Sequence, residues 1–286
     1  MFLPENKPRE IEPLSKIKMF LYGEPYTGKT TFASKFPNPI ILSTDGNYQL
    51  LDTPAMHLLT VADWYKAIEE LGKGNHTFET VIVDLADGLF DIIRGEVLEN
   101  YKLEHESDSP HGKGWNLVRK PSELMFHRIA SLPYNIIFIG HSKIMSGKDR
   151  VKGEYSYTAP KMSDGMANYL KGLVTYTLYT AVENIKEKDE LGDTIIYAKR
   201  LLKLNPVDET IKNGGRVLFK EDTIELDYDK FVEVLTDSVI NPIDKLVVKN
   251  PKKNLTPLKP LKPITKPTKE TTVEETPKTD DLEDFK

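Results

Sequence analysis

The sequence predicts an α/β fold in which a mostly parallel central sheet is extended by later antiparallel strands. Three observations carry this. A glycine-bearing turn, GEPYTGKT at residues 23–30, lies between an apolar run and a helix start. Two further apolar runs, IILS and VIVD, alternate with helical stretches and lead into polar residues. Later, GLVTYTLYTAVEN and GDTIIYAKRLLKLNP alternate in the strand manner with turn signals between them. Strands that alternate with helices imply parallel βα units, whereas strands separated only by turns pair antiparallel.

In chain order, IKMFLY (Ile17 to Tyr22) reads as a buried strand and TTFASKF as the start of a helix. Between them Gly23, Gly28, Lys29 and Thr30 satisfy G-x-x-x-x-G-K-[ST], the phosphate-binding P-loop pattern. In this pattern backbone N–H groups and the helix dipole converge on one concavity that favours phosphate. Gly23, Glu24, Pro25, Tyr26, Thr27, Gly28, Lys29, Thr30 and Thr31 are therefore the expected nucleotide cradle, with ATP and Mg²⁺ as cofactors. Lys29 would reach the β and γ phosphates, and the Thr30 hydroxyl would meet Mg²⁺, which takes few protein ligands. The competing interpretation is a glycine turn with a stray lysine.

A second short strand, Ile40 to Ser43, leads to Thr44 and Asp45. TVADWYKAIEELGKG follows as a helix, with Thr60 and Asp63 resembling a capping box and Trp64, Ile68 and Leu71 at helical spacing. Val81 to Asp84 is a buried-type strand ending in an acid. That places Asp84 as a second metal-site residue, on a strand expected next to the P-loop strand, because open α/β sheets bind ligands at their carboxyl edge. Residues 85–106 read as a long helix, SDSPHGKGWN as a loop, and NLVRKPSELMFHRIASL as a helix that starts afresh at Pro121. His105 and His111 flank ESDSP, which is a polar loop or a metal site.

YNIIFIGHSK is a third buried strand, Asn135 to Ile139, with His141 at its tip as either a γ-phosphate sensor or a simple strand cap. Lys143, Lys148, Arg150, Lys152 and Lys161 then surround Tyr155 and Tyr157 in a polar, glycine-bearing stretch. Cations interleaved with rings suit a single-strand-binding loop, where lysines track phosphates and rings stack on bases. The same composition also suits a solvated loop. NGGRVLFKEDTIELDYDKFVEVL closes the fold as a turn, a short strand and a final helix.

Composition bounds the rest. The 286 residues, 39% hydrophobic and 29% charged, suit one sizeable core plus extras. The absence of cysteine excludes disulfides, thiol nucleophiles and cysteine-bound zinc. With no run of 18 apolar residues and no hydrophobic signal core, a cytoplasmic location without membrane contact is expected. The net charge of −5 argues against a uniformly basic coat. Residues 1–15 read as an extension, 16–240 as the ATPase domain, and 241–286 as a disordered tail rich in Lys, Pro and Thr and then in acids.

The stretches GEPYTGKTTFASKFPNPIILSTDGN, TVIVDLADGL, IIFIGHSK and GGRVLFKEDTIELDYDKF resemble the bacteriophage family of RecA-like P-loop ATPases, AAA-type nucleotide-binding proteins, over about residues 15 to 236. Some members are single-strand annealing or recombination proteins. The resemblance implies ATP hydrolysis coupled to single-stranded DNA in a homo-oligomer, either ring or filament. It assigns Asp45 to the carboxylate that activates water, where RecA has a Glu, and His141 to the sensor position, where RecA has a Gln. A neighbouring subunit often supplies an activating cation, for which Lys161, Lys199, Arg200 and Arg216 are candidates. The acidic end DDLEDFK resembles tails that dock replication or recombination proteins of phage or host. Two other classes stay open: a non-catalytic nucleotide-dependent loader or scaffold, in which Asp45 and His141 are structural, and a P-loop nucleotide kinase, for which the arginines are sparse.

Overall fold

The computed structural model describes residues 12–109, 112–149, 153–188, 194–244 and 246. His111, Arg150, Lys152, residues 1–11 and nearly all of the expected tail lie outside the described residues. Ten strands form the sheet, β1 (Lys18–Gly23), β2 (Pro39–Ser43), β3 (Ala55–His57), β4 (Thr80–Asp84), β5 (Asn135–Asp149), β6 (Gly153–Pro160), β7 (Tyr176–Lys188), β8 (Thr194–Lys203), β9 (Gly214–Gly215) and β10 (Thr223–Glu225). The helices are α1 (Lys29–Ala33), α2 (Val61–Lys73), α3 (Ala86–Tyr101), α4 (Lys113–Ala130), α5 (Asp164–Leu173) and α6 (Tyr228–Ile240).

The main order is β10-β8-β7-β1-β5-β4-β2-β3, with β6 on β5 and β9 on β7. β3, β2, β4, β5, β1 and β7 run parallel, whereas β8, β10, β6 and β9 pair antiparallel. The architecture is thus the expected parallel sheet with antiparallel extensions. Strand alternation builds two apolar faces. Phe20, Tyr22, Leu42, Val83 and Phe138 pack under α2 to α5, and Met19, Leu21, Ile41, Ile82 and Ile139 pack against α1 and α6. Such runs, buried on both faces, are what parallel strands require.

Local chemistry explains the helix ends. The Thr60 side chain accepts the Asp63 N–H while its hydroxyl bonds the Asp63 carboxylate, a cap worth about 1 kcal/mol. Ser163 and Asp227 cap α5 and α6 in the same way.

Four expectations need correction. Asp84 does not stand on the neighbour of the P-loop strand, because β5 pairs with both β1 and β4 and lies between them. β5 does not end at His141 but runs on to Asp149. The stretch after it is no loop, since Ser142 to Asp149 form an antiparallel hairpin with Gly153 to Pro160, followed by α5. Finally, α4 begins at Lys113 and passes through Pro121 unbroken. Proline removes one backbone donor there, and Val118, Met125, Phe126 and Ile129 bury the helix strongly enough to outweigh that loss.

Candidate functional site

The parallel strands present their carboxyl ends together, and four polar groups collect there. Across the sheet the order is the glycine loop after β1, His141 on β5, Asp84 at the end of β4, and Asp45 beyond β2. The intervening β5 sets His141 level with Gly23, in register.

The loop is built from its glycines. A Cβ on Gly23 would stand 2.2 Å from Thr180 Oγ1 and 2.5 Å from the Thr180 carbonyl oxygen, so only glycine fits beside β7. Gly28 has φ +90°, a conformation that side chains rarely adopt. The Thr27 and Thr180 hydroxyls lie 2.7 Å apart and tie the loop to β7. Tyr26, also at positive φ, is 95% exposed at the loop crest. Helix α1 is only five residues long, so loop amides outweigh the helix dipole as anion ligands.

Lys29 is 6% exposed and folds back, donating from Nζ to the carbonyls of Glu24 at 2.6 Å and Gly23 at 3.1 Å. Burial pulls its pKa down to about 8, against the opposing pull of Asp84, Asp87 and Glu24. Thr30 Oγ1 donates to Asp84 Oδ2 at 2.9 Å. Asp84 is 5% exposed, and burial pushes its carboxyl up to about 6; the Thr30 hydrogen bond works against this and the charge of Asp45 adds to it. A hydroxyl and a carboxylate already in contact form the hard-oxygen donor pair that suits Mg²⁺.

Asp45 is exposed and near enough to raise Asp84, yet both its oxygens are occupied by its own turn. Oδ1 accepts from Ser43 Oγ and the Asn47 N–H, and Oδ2 from Asn47 Nδ2. Burial raises its pKa, but the hydrogen bonds from Asn47 and Ser43 outweigh this and hold it below the usual carboxylate range. Thr44 pins the ends of β2 and β4, its N–H donating to the Asp84 carbonyl at 2.7 Å and its Oγ1 accepting the Leu85 N–H at 3.0 Å.

The residue that sequence reasoning missed is Asp87, in the first turn of α3 and 5% exposed. Its Oδ1 accepts the His141 backbone N–H at 3.1 Å, and its Oδ2 lies 3.0 Å from His141 Nδ1. An ionised Asp87 carboxylate accepts here, so the contact orients the ring through a proton on Nδ1. The available signal was an acid three residues after Asp84, at one helical turn from the strand end.

Other expected residues stand apart from this cluster. His105 caps a 3-10 turn at Glu106–Asp108 through Ser107, and among the described residues no group of acids and histidines has metal-site geometry. Of the four cation candidates, Arg200 packs over Gly28 of its own chain, with Cδ 3.1 Å from where a Gly28 Cβ would be. Lys199 pairs with Glu225 at 2.9 Å. The Lys161 N–H donates to the His141 carbonyl, and the Arg216 N–H to that of Thr175. On the hairpin, Lys143 donates to the Met162 carbonyl and Lys148 lies 4.0 Å from Glu154. The Tyr155 and Tyr157 rings sit 5.9 Å apart. No helix among the described residues is long and apolar enough to cross a membrane.

The search of curated proteins found no match. Among solved structures, the flagellar accessory protein FlaH from Methanocaldococcus jannaschii is similar at 12% identity over 67% of this chain and 78% of that one, with a TM-score of 0.33, a likeness on which no residue role can rest. Residues 15–218 match the family model described as AAA domain, and with its P-loop, Lys29, Thr30 and Asp84 in one cluster the chain belongs to that family of P-loop ATPases.

Proposed function

We propose that the protein is a Mg²⁺-dependent ATPase of DNA recombination or replication that binds single-stranded DNA and promotes annealing or strand exchange as a homo-oligomer. The contact between Thr30 Oγ1 and Asp84 Oδ2 at the mouth of the glycine loop carries the catalytic half of this reading. Phosphoryl transfer to water needs placement and charge neutralisation more than covalent chemistry. Lys29, now held by loop carbonyls, exchanges them for phosphate oxygens when nucleotide enters. Thr30 and Asp84 would hold the metal and its waters, and Mg²⁺ there would neutralise charge developing on the phosphoryl oxygens. His141, fixed by Asp87, would sense the γ-phosphate, and Asp45 would orient water once it turns out of its Ser43 and Asn47 contacts.

The DNA half is supported by β5. One strand carries His141 and then runs without a break into the hairpin that holds Tyr155 and Tyr157, which gives the site and the hairpin one shared element. The phage setting, and partners docking on the acidic tail, rest on the sequence resemblance alone. The engagement of both Asp45 oxygens favours a second reading, a nucleotide-gated scaffold that binds ATP without turning it over. Titrating Mg²⁺ in ATP hydrolysis by the protein and by Thr30→Ala separates the two. The ATPase reading expects metal-dependent turnover that the variant loses; tight ATP binding with no turnover at any Mg²⁺ concentration favours the scaffold.

A further inference from the structure

A protein that grips single-stranded DNA needs cations beside exposed rings, and two of the hairpin lysines already face partners. Lys143 is tied to the Met162 carbonyl, and Lys148 faces Glu154. A different set of cations lies next to the same rings. Lys212 Nζ stands 4.8 Å above the Tyr157 ring, and Tyr157 neighbours Tyr155. Lys212 also lines a cavity of about 430 Å³ together with Lys171, Arg216, Thr175, Thr177 and Gly214. Among the described residues, none of Lys171, Lys212 and Arg216 is in an ion pair. Burial lowers the Lys171 pKa, the nearby charge of Lys212 adds to this and Asp164 works against it, so the two cations lie close together.

The segment that carries Lys212 and Arg216 is pinned along its length. The Thr158 N–H donates to the Thr210 carbonyl and the Lys212 N–H to that of Thr158. Gly214 and Gly215 pair with Thr177 and Tyr176, and the Arg216 N–H reaches the Thr175 carbonyl. The backbone that carries Lys212 and Arg216 is therefore fixed before any ligand arrives. The cavity is separate from the glycine loop. Thr177 and Thr180, which touches Thr27, are three residues apart on β7, about 10 Å.

We propose that this cavity and the two rings form a track for single-stranded nucleic acid. Lys171, Lys212 and Arg216 take successive backbone phosphates, Tyr155 stacks against an unpaired base, and Tyr157 supports Lys212 over its ring. The inference rests on the DNA-binding part of the proposed function and relocates its phosphate contacts from Lys143 and Lys148. Single strands are favoured over duplex because only unpaired bases offer their faces to rings.

The test is fluorescence anisotropy of a labelled oligothymidylate with the full chain, across a salt series, with a blunt duplex alongside. The triple variant Lys171→Gln, Lys212→Gln, Arg216→Gln should bind at least tenfold more weakly and lower the salt slope by about 2, three phosphates at roughly 0.7 each. Tyr155→Ala with Tyr157→Ala should weaken single-strand binding at least tenfold while changing duplex binding little. The charge-preserving set Lys171→Arg, Lys212→Arg, Arg216→Lys should bind as the parent does, which separates charge from folding. Lys143→Gln with Lys148→Gln should have little effect. Unchanged affinity in the triple Gln variant, or equal loss in the charge-preserving set, overturns the track but leaves DNA binding standing. A parent protein that hydrolyses ATP and binds no oligothymidylate overturns both the track and the DNA-coupled reading, while the ATPase reading survives.

Discussion

Replacing Asp84 by Asn should stabilise the nucleotide-free protein while disabling it. In the empty site the carboxyl is buried and its pKa is pushed from 3.8 to about 6. A folded-state value above the unfolded one means that the native protein binds the proton more tightly. Stability is then highest below the unfolded pKa and is lost as pH rises through the folded pKa. At about 1.36 kcal/mol per unit the full penalty is ~3 kcal/mol above pH 6 and ~1 kcal/mol at pH 4.5. Asn keeps an oxygen for the Thr30 hydroxyl and has no charge to desolvate, and the shift to about 6 already includes the attraction of Lys29. The net gain at pH 7.5 is ~3 kcal/mol, or about 6–12 °C in Tm for a domain of this size. At pH 4.5 the gain shrinks to ~1 kcal/mol, or about 2–4 °C. Thermal melts in EDTA at both pH values read this directly, and hydrolysis by the variant should fall at least about 100-fold. A variant that melts below the parent at pH 7.5, or by the same margin at both pH values, would refute the desolvation argument.

The Asp87→Ala change should free His141 and lower kcat for ATP by about 10- to 100-fold with KM within about twofold, because Asp87 positions a side chain rather than holding nucleotide. Equal loss in KM would show that Asp87 serves nucleotide binding instead. Gly23→Ala forces a Cβ against Thr180 and should cost about 1–3 kcal/mol in a denaturant titration, together with nucleotide affinity. Arg94→Met leaves Glu106, which is 2% exposed and bidentately bound, without its partner. A loss of about 3 kcal/mol is expected at neutral pH. The Arg94 hydrogen bond holds Glu106 below its usual range, so that stability is present above pH 4.5 and fades in acid. The parent and Arg94→Met melting curves should therefore converge as pH falls, and a constant gap would contradict the ion-pair origin.

Much of the site was legible because its signals are local. The loop glycines, Lys29 and Thr30 follow one another in the chain, and Asp84 closes an apolar run that reads as a buried strand at the right distance from Lys29. Asp87 was not legible, because in sequence it is simply an acid near a helix start; its meaning comes from His141, 54 residues away. The hairpin was hidden for a related reason. Beyond His141 β5 leaves the core, so the two-residue alternation that marks a half-buried strand fades and Gly147 reads as a break. There Tyr155 lies across Gly147, and the cross-strand ring supplies what the glycine lacks. The position of β5 between β1 and β4 is a matter of topology, which spacing along the chain does not encode.

Steady-state ATP hydrolysis with and without single-stranded DNA, with Lys29→Ala as the control, tests the central claim most directly. The account predicts turnover in Mg²⁺ that rises with single strands and vanishes in the variant. ATP that binds but is not hydrolysed, with or without DNA, would contradict it.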